Sequence, residues 1–180
     1  FALPDGRIGV KLHGFMPENG ADRHEKTDRV PYTAWAQGGY CTLTPGDVTD
    51  NSYVYNWICE GEREHGWEVE EVDYAGRNAT DLAIRMNEDR NREDFCVEVS
   101  QTCAGQNLAV KTFRELLLQD RVVIEESPRA LWCLQNAIEI QNNYGDLKLS
   151  KRHKDDSERI DPVAAMMNAL ARVLVKRSPG

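Results

Sequence analysis

The sequence predicts an α/β fold in which helices flank a mixed β-sheet. Two observations carry this prediction. Segments with helical apolar spacing alternate with short strand-like segments from residue 50 to residue 150, and an alternating apolar pattern near the N-terminus indicates an antiparallel hairpin. The chain has 180 residues, of which 41% are hydrophobic, so its length and composition suit one domain over residues 1–180.

The N-terminal quarter contains one clear strand signal, which follows a turn-forming segment. Ile8, Val10 and Leu12 alternate with other residues after the turn at 4–7, and this pattern predicts the second strand of a β-hairpin. The following stretch to residue 49 is rich in glycine, proline and charged residues, which indicates a long connection. Within it the sequence predicts a short helix at 32–37 and a brief strand at 41–43.

The middle of the chain carries the alternation of helices and strands. Apolar residues recur every three or four positions in the helical segments, and they form short runs or period-two patterns in the strands. In chain order the predicted elements are a helix at 50–64, a strand at 67–72, a helix at 79–90, a strand at 95–99, a helix with Val110, Phe113, Leu116 and Leu117 on one face, a strand at 122–124, a helix from Pro128 with Leu131, Leu134 and Ile138 inward, and a strand at 147–149.

The last predicted helix begins beside a carboxylate. Asp161 and Pro162 precede an apolar stripe at 163, 166, 167, 170, 173 and 174, which predicts that Asp161 caps the helix and that Pro162 is its first residue. A carboxylate fixed in this way at the mouth of a loop suits a hard cation if a second carboxylate lies nearby. The alternative is that Asp161 only caps the helix.

A second carboxylate follows the predicted strand at 67–72. Asp73 is expected at the C-terminal end of that strand, before the helix at 79–90. Ligands of open α/β sheets bind in the crevice beyond such strand ends. Aspartate is also a common turn former, so a turn residue without catalytic function is the alternative.

The charge of the chain counts against tight, autonomous binding to nucleic acid. The formal net charge is −8, whereas phosphate affinity comes from clustered Lys and Arg. A local basic run precedes Asp161 and is either a solvated loop or a phosphate contact. It consists of Lys148, Lys151, Arg152, Lys154 and Arg159.

Several other classes of site and location are disfavoured. The five cysteines are odd in number and lie mostly in predicted strands or helices, which predicts reduced thiols, and neither they nor the four scattered histidines have zinc-site spacing. The sequence has no glycine-rich phosphate loop, so no ATPase activity is expected. It has no apolar run near 18 residues and no signal-peptide pattern, which favours a cytosolic protein without membrane insertion.

Five short segments, taken in order, resemble one known family. They are VPYTAW at 30–35, TPGD at 44–47, VDY at 72–74 with NA at 78–79, LWCLQNA at 131–137 and RID at 159–161. The chain is similar, nearly end to end, to the C-terminal nuclease region of tailed-phage terminase large subunits. The resemblance implies a ribonuclease H-like fold and an endonuclease that cuts concatemeric double-stranded viral DNA at the start and end of genome packaging.

The resemblance also implies cofactors and partners. The family binds two divalent cations, Mg²⁺ or Mn²⁺, through an acidic cluster, and such ions are about 4 Å apart in two-metal hydrolases. The implied partners are double-stranded DNA, the terminase ATPase domain, the small terminase subunit and the portal protein. The implied location is the cytoplasm of the bacterial host.

The family's site residues carry over to named positions of this chain. Asp73 matches the acidic residue that ends the family's central strand, and Asp161 matches the one that opens its last helix, so both are expected to be catalytic metal ligands. Asn78 also coincides with a recurring family residue. The residues expected to contact DNA are Asn136, Lys148, Lys151, Arg152 and Lys154.

The family's first catalytic aspartate has no counterpart within the 180 residues. By this alignment it lies on an opening strand shortly before Phe1, and a sheet without that strand is expected to lose both core and metal affinity. Two other functions stay open. One is a non-catalytic module that docks DNA or a partner through residues 148–159, and the other is a ribonuclease H-like junction resolvase that prefers branched DNA.

Overall fold

The computed structural model describes residues 1–76, 79–152 and 157–177, and in this part of the chain strands alternate with helices. The helices are α1 (Ala21–Asp28), α2 (Tyr32–Gln37), α3 (Asn51–His65), α4 (Thr80–Arg90), α5 (Cys103–Leu118), α6 (Pro128–Asn136) and α7 (Asp161–Arg177). The strands are β1 (Ile8–Val10), β2 (Phe15–Pro17), β3 (Thr42–Thr44), β4 (Val72–Tyr74), β5 (Cys96–Glu98), β6 (Val122–Ile124), β7 (Ala137–Gln141) and β8 (Leu147–Lys151).

The β-structure is mixed, as predicted, and within the described residues it is divided into two-stranded pairs. β1 pairs with β6, β2 with β3 and β4 with β5, each in parallel, whereas β7 and β8 form an antiparallel hairpin. Parallel strands cannot be joined by a tight turn, so each parallel pair is connected through helical segments that pack on the strands.

The sequence predicted the second strand of an N-terminal hairpin, with its first strand outside the 180 residues; in the structure β1 is that strand, and one residue before the turn bridges to it. Ala2 forms an antiparallel bridge with Ile8, and the amide of Gly6 donates to the carbonyl of Leu3 across the predicted turn at 2.9 Å. The longer pairing of β1 is the parallel one with β6, which the alternation of apolar residues could not indicate.

Two elements of the predicted long connection were missed, α1 and β2. The sequence of α1 is ADRHEKTD, which has no apolar stripe, so helical periodicity gives no signal there. The helix is instead held by packing against α2. The strand β2 has only three residues and ends at Pro17, which is too short for a recognisable strand pattern. Its extended conformation is held by pairing with β3.

Two predicted boundaries were wrong. The helix from Pro128 ends at Asn136, and Ile138 belongs to β7, where it lies opposite Ser150 of β8. Its spacing from Leu134 fits a helix, but the hairpin pairing takes precedence. The strand predicted at 67–72 is Val72–Tyr74 in the structure, so it begins where the prediction ended.

Helix α7 is the centre of the packing. It lies against α5, α6 and β4, and its residues Val163 and Met167 are almost completely buried. Burying a side chain of this size contributes about 1.5–3 kcal/mol. Since α7 starts at Asp161 and packs on the strand that contains Asp73, the same helix positions both predicted ligands.

Some predicted inward residues are exposed. The side chains of Leu117 and Leu131 are 47% and 58% exposed. All five cysteines are free thiols, in agreement with the prediction. In the described part of the chain, no helix combines the length and apolar character needed to cross a membrane.

Candidate active site

Asp73 is the central residue of β4 and lies opposite Val97 of β5. The sequence predicted that the strand ends at Asp73. In the structure the strand continues to Tyr74, which is also paired. The side chain of Asp73 is 9% exposed, so the strand pair and α7 together shield the carboxylate from water.

A second carboxylate, Glu71, accompanies Asp73 and was not predicted. The Glu71 side chain is 8% exposed and stands two residues before Asp73, the spacing that places side chains on one face of an extended segment. That spacing is the signal that could have identified it. Both carboxylates therefore approach the same face of α7.

Two cations of α7 face this pair of carboxylates. The guanidinium of Arg172 donates to both Glu71 oxygens, at 2.8 and 3.1 Å, and the ammonium of Lys176 lies 2.9 Å from Glu71 Oε2. Asp73 receives less: its Oδ1 is 3.8 Å from Arg172 Nε and has no hydrogen-bond partner among the described residues. The pair is thus compensated unevenly, with Glu71 favoured.

This unequal arrangement separates the two acidities. Burial, followed by the neighbouring Glu71 carboxylate, raises the pKa of Asp73 to about 7. The hydrogen bond from Arg172 lowers the pKa of Glu71 to about 2, with a further contribution from Lys176. At neutral pH Glu71 is ionised, and Asp73 is poised between its neutral and ionised forms.

Asp161 is the first residue of α7 and is exposed. The amide of Ala164 donates to the carbonyl of Ile160 at 2.9 Å, so Ile160 and not Asp161 occupies the cap position. The capping prediction was wrong by one position, because the helix starts one residue earlier than the sequence indicated. The Asp161 carboxylate still lies at the positive end of the helix dipole.

The structure places the two aspartates toward opposite ends of α7. Arg172, which contacts Asp73, lies eleven residues after Asp161, and the helical rise makes this about 16 Å along the axis. The charge of Asp161 acts instead on Cys133 and Arg159. Within residues 1–76, 79–152 and 157–177, no three His, Cys, Asp or Glu side chains are grouped as a metal site requires.

Asn136, which was expected to contact DNA, is used inside the protein. It is the last residue of α6, and its side-chain amide donates to the carbonyl of Arg159 at 3.4 Å. Its own carbonyl accepts from the amide of Arg152 at 3.1 Å. Asn136 therefore joins the end of α6 to the segment that leads into α7.

The described residues of the predicted basic cluster do not all lie on one face of the hairpin. Lys148 and Lys151 both lie in β8, but their odd spacing places them on opposite faces of the hairpin. The guanidinium of Arg152 donates to the carbonyl of Gln135 at 3.1 Å. Lys154 and Asn78 lie outside the described residues.

A comparison with protein families decides the assignment. The family described as "Terminase large subunit, endonuclease domain" matches residues 1–177. The chain belongs to this family. The large terminase subunit of Enterobacteria phage HK97 is 28% identical over 167 residues, which cover 90% of this chain and 31% of the relative.

The fold of this terminase-family chain is also similar to a solved structure. The crystal structure of the HK97 bacteriophage large terminase superposes with a TM-score of 0.75 and 26% identity, covering 88% of this chain and 32% of that chain. The similarity confirms the predicted fold class, an α/β ribonuclease H-like arrangement of mixed strands and flanking helices. The chain spans about a third of the length of the relatives that it matches.

Proposed function

We propose that this chain is the metal-dependent nuclease domain of a terminase large subunit, cutting concatemeric double-stranded viral DNA during genome packaging in the bacterial host cytoplasm. The observation that carries the proposal is the buried Asp73 carboxylate, whose Oδ1 has no hydrogen-bond partner among the described residues, in a chain that matches the endonuclease family over residues 1–177. A buried oxygen left unsatisfied by the protein is costly, and a bound cation would remove that cost.

The residues suit Mg²⁺ or Mn²⁺. Both ions prefer oxygen ligands, and Asp73 offers an oxygen that the protein leaves without a donor. From the family resemblance we propose Asp73 and Asp161 as ligands, with Glu71 beside Asp73 as a further acidic group. The structure holds the two aspartates toward opposite ends of α7, so they do not share one cation in this arrangement. When bound, two such ions supply an activated water and charge stabilisation of the departing 3′-oxygen.

The protein's own side chains prepare Asp73 for this task. Arg172 and Lys176 compensate Glu71, while Asp73 Oδ1 has no hydrogen-bond partner among the described residues. Because the pKa of Asp73 is raised to about 7, this carboxylate must first lose a proton to become a ligand, which favours activity above neutral pH.

We propose, from the family resemblance, that a first acidic ligand stands on a strand before Phe1. We propose that this residue and its strand complete the acidic cluster, since the described residues bring no three suitable side chains together. The ATPase domain, the small terminase subunit and the portal protein are the proposed partners of the longer protein, with double-stranded DNA as the substrate.

The alternative function is a module that docks DNA without cutting it. The absence of a three-residue acidic group among the described residues favours it, and Lys151 at the end of β8, with Arg152 after it, would supply the cationic contact. In this case Asp73 and Asp161 only stabilise the fold.

Plasmid cleavage tests the proposal. The chain and a version extended upstream through the opening strand are incubated with supercoiled DNA and Mn²⁺, Mg²⁺ or EDTA. We expect metal-dependent nicking and linearisation by the extended form. If neither well-folded form cuts, but both retard duplex DNA in a gel, the docking module is the better assignment. Faster cutting of a four-way junction than of linear duplex would instead indicate a junction resolvase.

A further inference from the structure

The segment that leads into Asp161 is held by a buried ion pair. Arg159 donates through Nε to Asp28 Oδ2 at 3.1 Å, and its Nη2 lies 3.2 Å from Nδ1 of His24. Both partners belong to α1, the helix without an apolar stripe. The Asp28 side chain is completely buried, so the pair is well shielded from solvent on the α1 side.

The position of Asp28 is fixed by α2. The hydroxyl of Tyr32 donates to Asp28 Oδ2 at 2.7 Å, and burial raises the pKa of Tyr32, so this hydroxyl remains a donor. The Tyr32 ring packs edge-on against Trp35 and Trp132, with centroid distances of 5.5 and 6.1 Å. Since Trp132 lies in α6, these aromatic contacts tie α1 and α2 to the helix that precedes the β7–β8 hairpin.

The backbone of Arg159 is held from the other side. The amide of Asn136 donates to the Arg159 carbonyl at 3.4 Å, while the side chain of Arg159 is bound to Asp28. Ile160, the next residue, is buried and accepts the first hydrogen bond of α7. The residue after it is Asp161. Two contacts from two different helices therefore fix the chain directly before the proposed ligand.

The ion pair has a second consequence for Asp161. Arg159 stands two residues before Asp161, and the negative charge of Asp161 acts on its guanidinium. A guanidinium without another partner at this place would compete with a metal ion for the Asp161 carboxylate. Asp28 holds it toward α1 instead, so the Arg159 guanidinium is shared between Asp28 and the Asp161 carboxylate rather than being paired with Asp161 alone.

We propose that Asp28 and Asn136 are positioning residues for Asp161, both acting through Arg159. The proposal rests on the proposed function of Asp161 as a metal ligand. Asp28 binds the Arg159 side chain and Asn136 binds its carbonyl, and together they set the direction and the electrostatic surroundings of the Asp161 carboxylate. The two helices α1 and α2 are thereby part of the active-site framework.

The test compares Asp28→Asn with a matched control, Glu62→Gln. Glu62 forms a part-buried ion pair with Arg90 that joins α3 to α4, so its removal measures the cost of losing such a pair elsewhere. Two readouts are taken on the upstream-extended form of the unsubstituted protein and of each variant: hydrogen exchange of the amides at 157–164 without metal, and Mn²⁺ binding followed by the paramagnetic resonance of the free ion.

We expect faster exchange at 157–164 in Asp28→Asn alone, and a loss of about tenfold in Mn²⁺ affinity, as for other residues that orient a metal ligand. Glu62→Gln lowers the melting temperature without either change. Asn136→Ala, which removes no buried charge, is the second variant and should reproduce both effects more weakly. Arg159→Lys keeps a positive charge next to Asp28. We expect this variant to lose less Mn²⁺ affinity than Asp28→Asn does.

The outcomes separate the two proposals. Unchanged exchange at 157–164 in both Asp28→Asn and Asn136→Ala would overturn the positioning role, whatever the metal affinity. If exchange increases in both variants but the unsubstituted protein binds no Mn²⁺, the positioning of the segment stands and the role of Asp161 as a ligand is lost. An equal loss of affinity in Glu62→Gln would also overturn the proposal, because the effect would then follow stability alone.

Discussion

The two proposed ligands have opposite surroundings. Asp73 lies inside the protein, beside a second carboxylate and facing two cations of α7, whereas Asp161 is exposed at the start of the same helix. Near Asp73 the protein brings its own positive charge to the site. Near Asp161 it holds the neighbouring guanidinium of Arg159 on Asp28. Asp73 must therefore lose a proton inside the protein before it can bind a cation, whereas Asp161 meets solvent directly.

One rigid element connects these surroundings. Between its two ends α7 carries Asn168, a buried residue whose Oδ1 accepts from the side-chain amides of Gln101 and Gln106 at 2.9 and 3.0 Å. This buried network fixes α7 against α5 and against the loop that follows β5. The distance between the region of Asp73 and that of Asp161 is therefore set by a helix that has little freedom to move.

The largest expected effect is the loss of cleavage in Asp73→Asn and in Asp161→Asn, measured as plasmid nicking by the upstream-extended form. The melting temperatures of the two variants distinguish the surroundings of the two aspartates, because the change in melting temperature should be positive in one variant and negative in the other. Asp73→Asn removes a carboxylate that burial disfavours, so the melting temperature of the metal-free protein should rise, and more at pH 8 than at pH 5. Asp161→Asn removes a favourable charge at a helix start and should lower it slightly.

Cleavage that survives in either variant would remove that residue from the proposed site. Loss of cleavage together with unfolding in both variants would leave them as structural residues only. A fall in the melting temperature of Asp73→Asn at pH 8 would mean that the Asp73 carboxylate is stabilised by its cations more than it is penalised by burial.

The second effect is the destabilisation of Arg172→Gln. The substitution leaves Glu71 and Asp73 without their main partner, and breaking a buried ion pair in this way costs about 3 kcal/mol, the lower end of the usual range because Lys176 still contacts Glu71. Urea unfolding measures the change. Mn²⁺ should restore more stability to this variant than to the unsubstituted protein, since the ion replaces a missing charge; an equal gain in both would show that the ion does not bind near Asp73.

The third effect is a pH dependence that belongs to Asp73. Its folded-state pKa of about 7 lies above its ordinary value of 3.8, so between these values the folded protein binds more protons than the unfolded chain. The free energy of unfolding therefore decreases as pH rises toward 7, by at most about 1.4 kcal/mol per pH unit for one group. Glu71, with its pKa lowered to about 2, acts in the opposite direction, but below about pH 4.5.

Metal-free urea titrations between pH 5 and pH 8 measure this slope. Asp73→Asn should reduce it, whereas Asp161→Asn should leave it as it is. A slope that is unchanged by Asp73→Asn would assign the proton to another group and would break the contrast between the two aspartates.

The sequence predicted the parts of the site that depend on local pattern. Asp73 was expected directly after a strand that in fact extends to Tyr74, and Asp161 directly before a helix that in fact begins with it, so apolar periodicity located both carboxylates near the right element while missing the exact boundaries. It could not predict Glu71 with Arg172, or Asp28 with Arg159, because these partners are 101 and 131 residues apart. Such pairs depend on the packing of α7 and α1, which no local pattern encodes.

The expected DNA contacts show the same limit. Asn136, Lys148, Lys151 and Arg152 were grouped because they are near one another in sequence or match family positions. In the structure the Asn136 side chain binds a backbone carbonyl, and the strand alternation puts the two lysines on opposite faces. Local composition indicated a basic region, but the orientation of each side chain required the hairpin.

The smallest expected effect concerns these two lysines. Lys151 lies at the end of β8 opposite Ala137, next to the region that leads into α7, while Lys148 lies opposite Ile140, farther along the hairpin. If DNA reaches Asp161 over this end of the hairpin, Lys151→Ala should lower the slope of log affinity against log salt by about 0.9, the value for one phosphate contact, and Lys148→Ala should lower it less. Lys26→Ala, on the exposed side of α1, is the control and should leave the slope unchanged.

Equal reductions for Lys148 and Lys151 would mean that DNA contacts both faces of the hairpin. Unchanged slopes for both would direct the search for the DNA-binding surface away from β8, toward the face of the molecule where Asp73 lies.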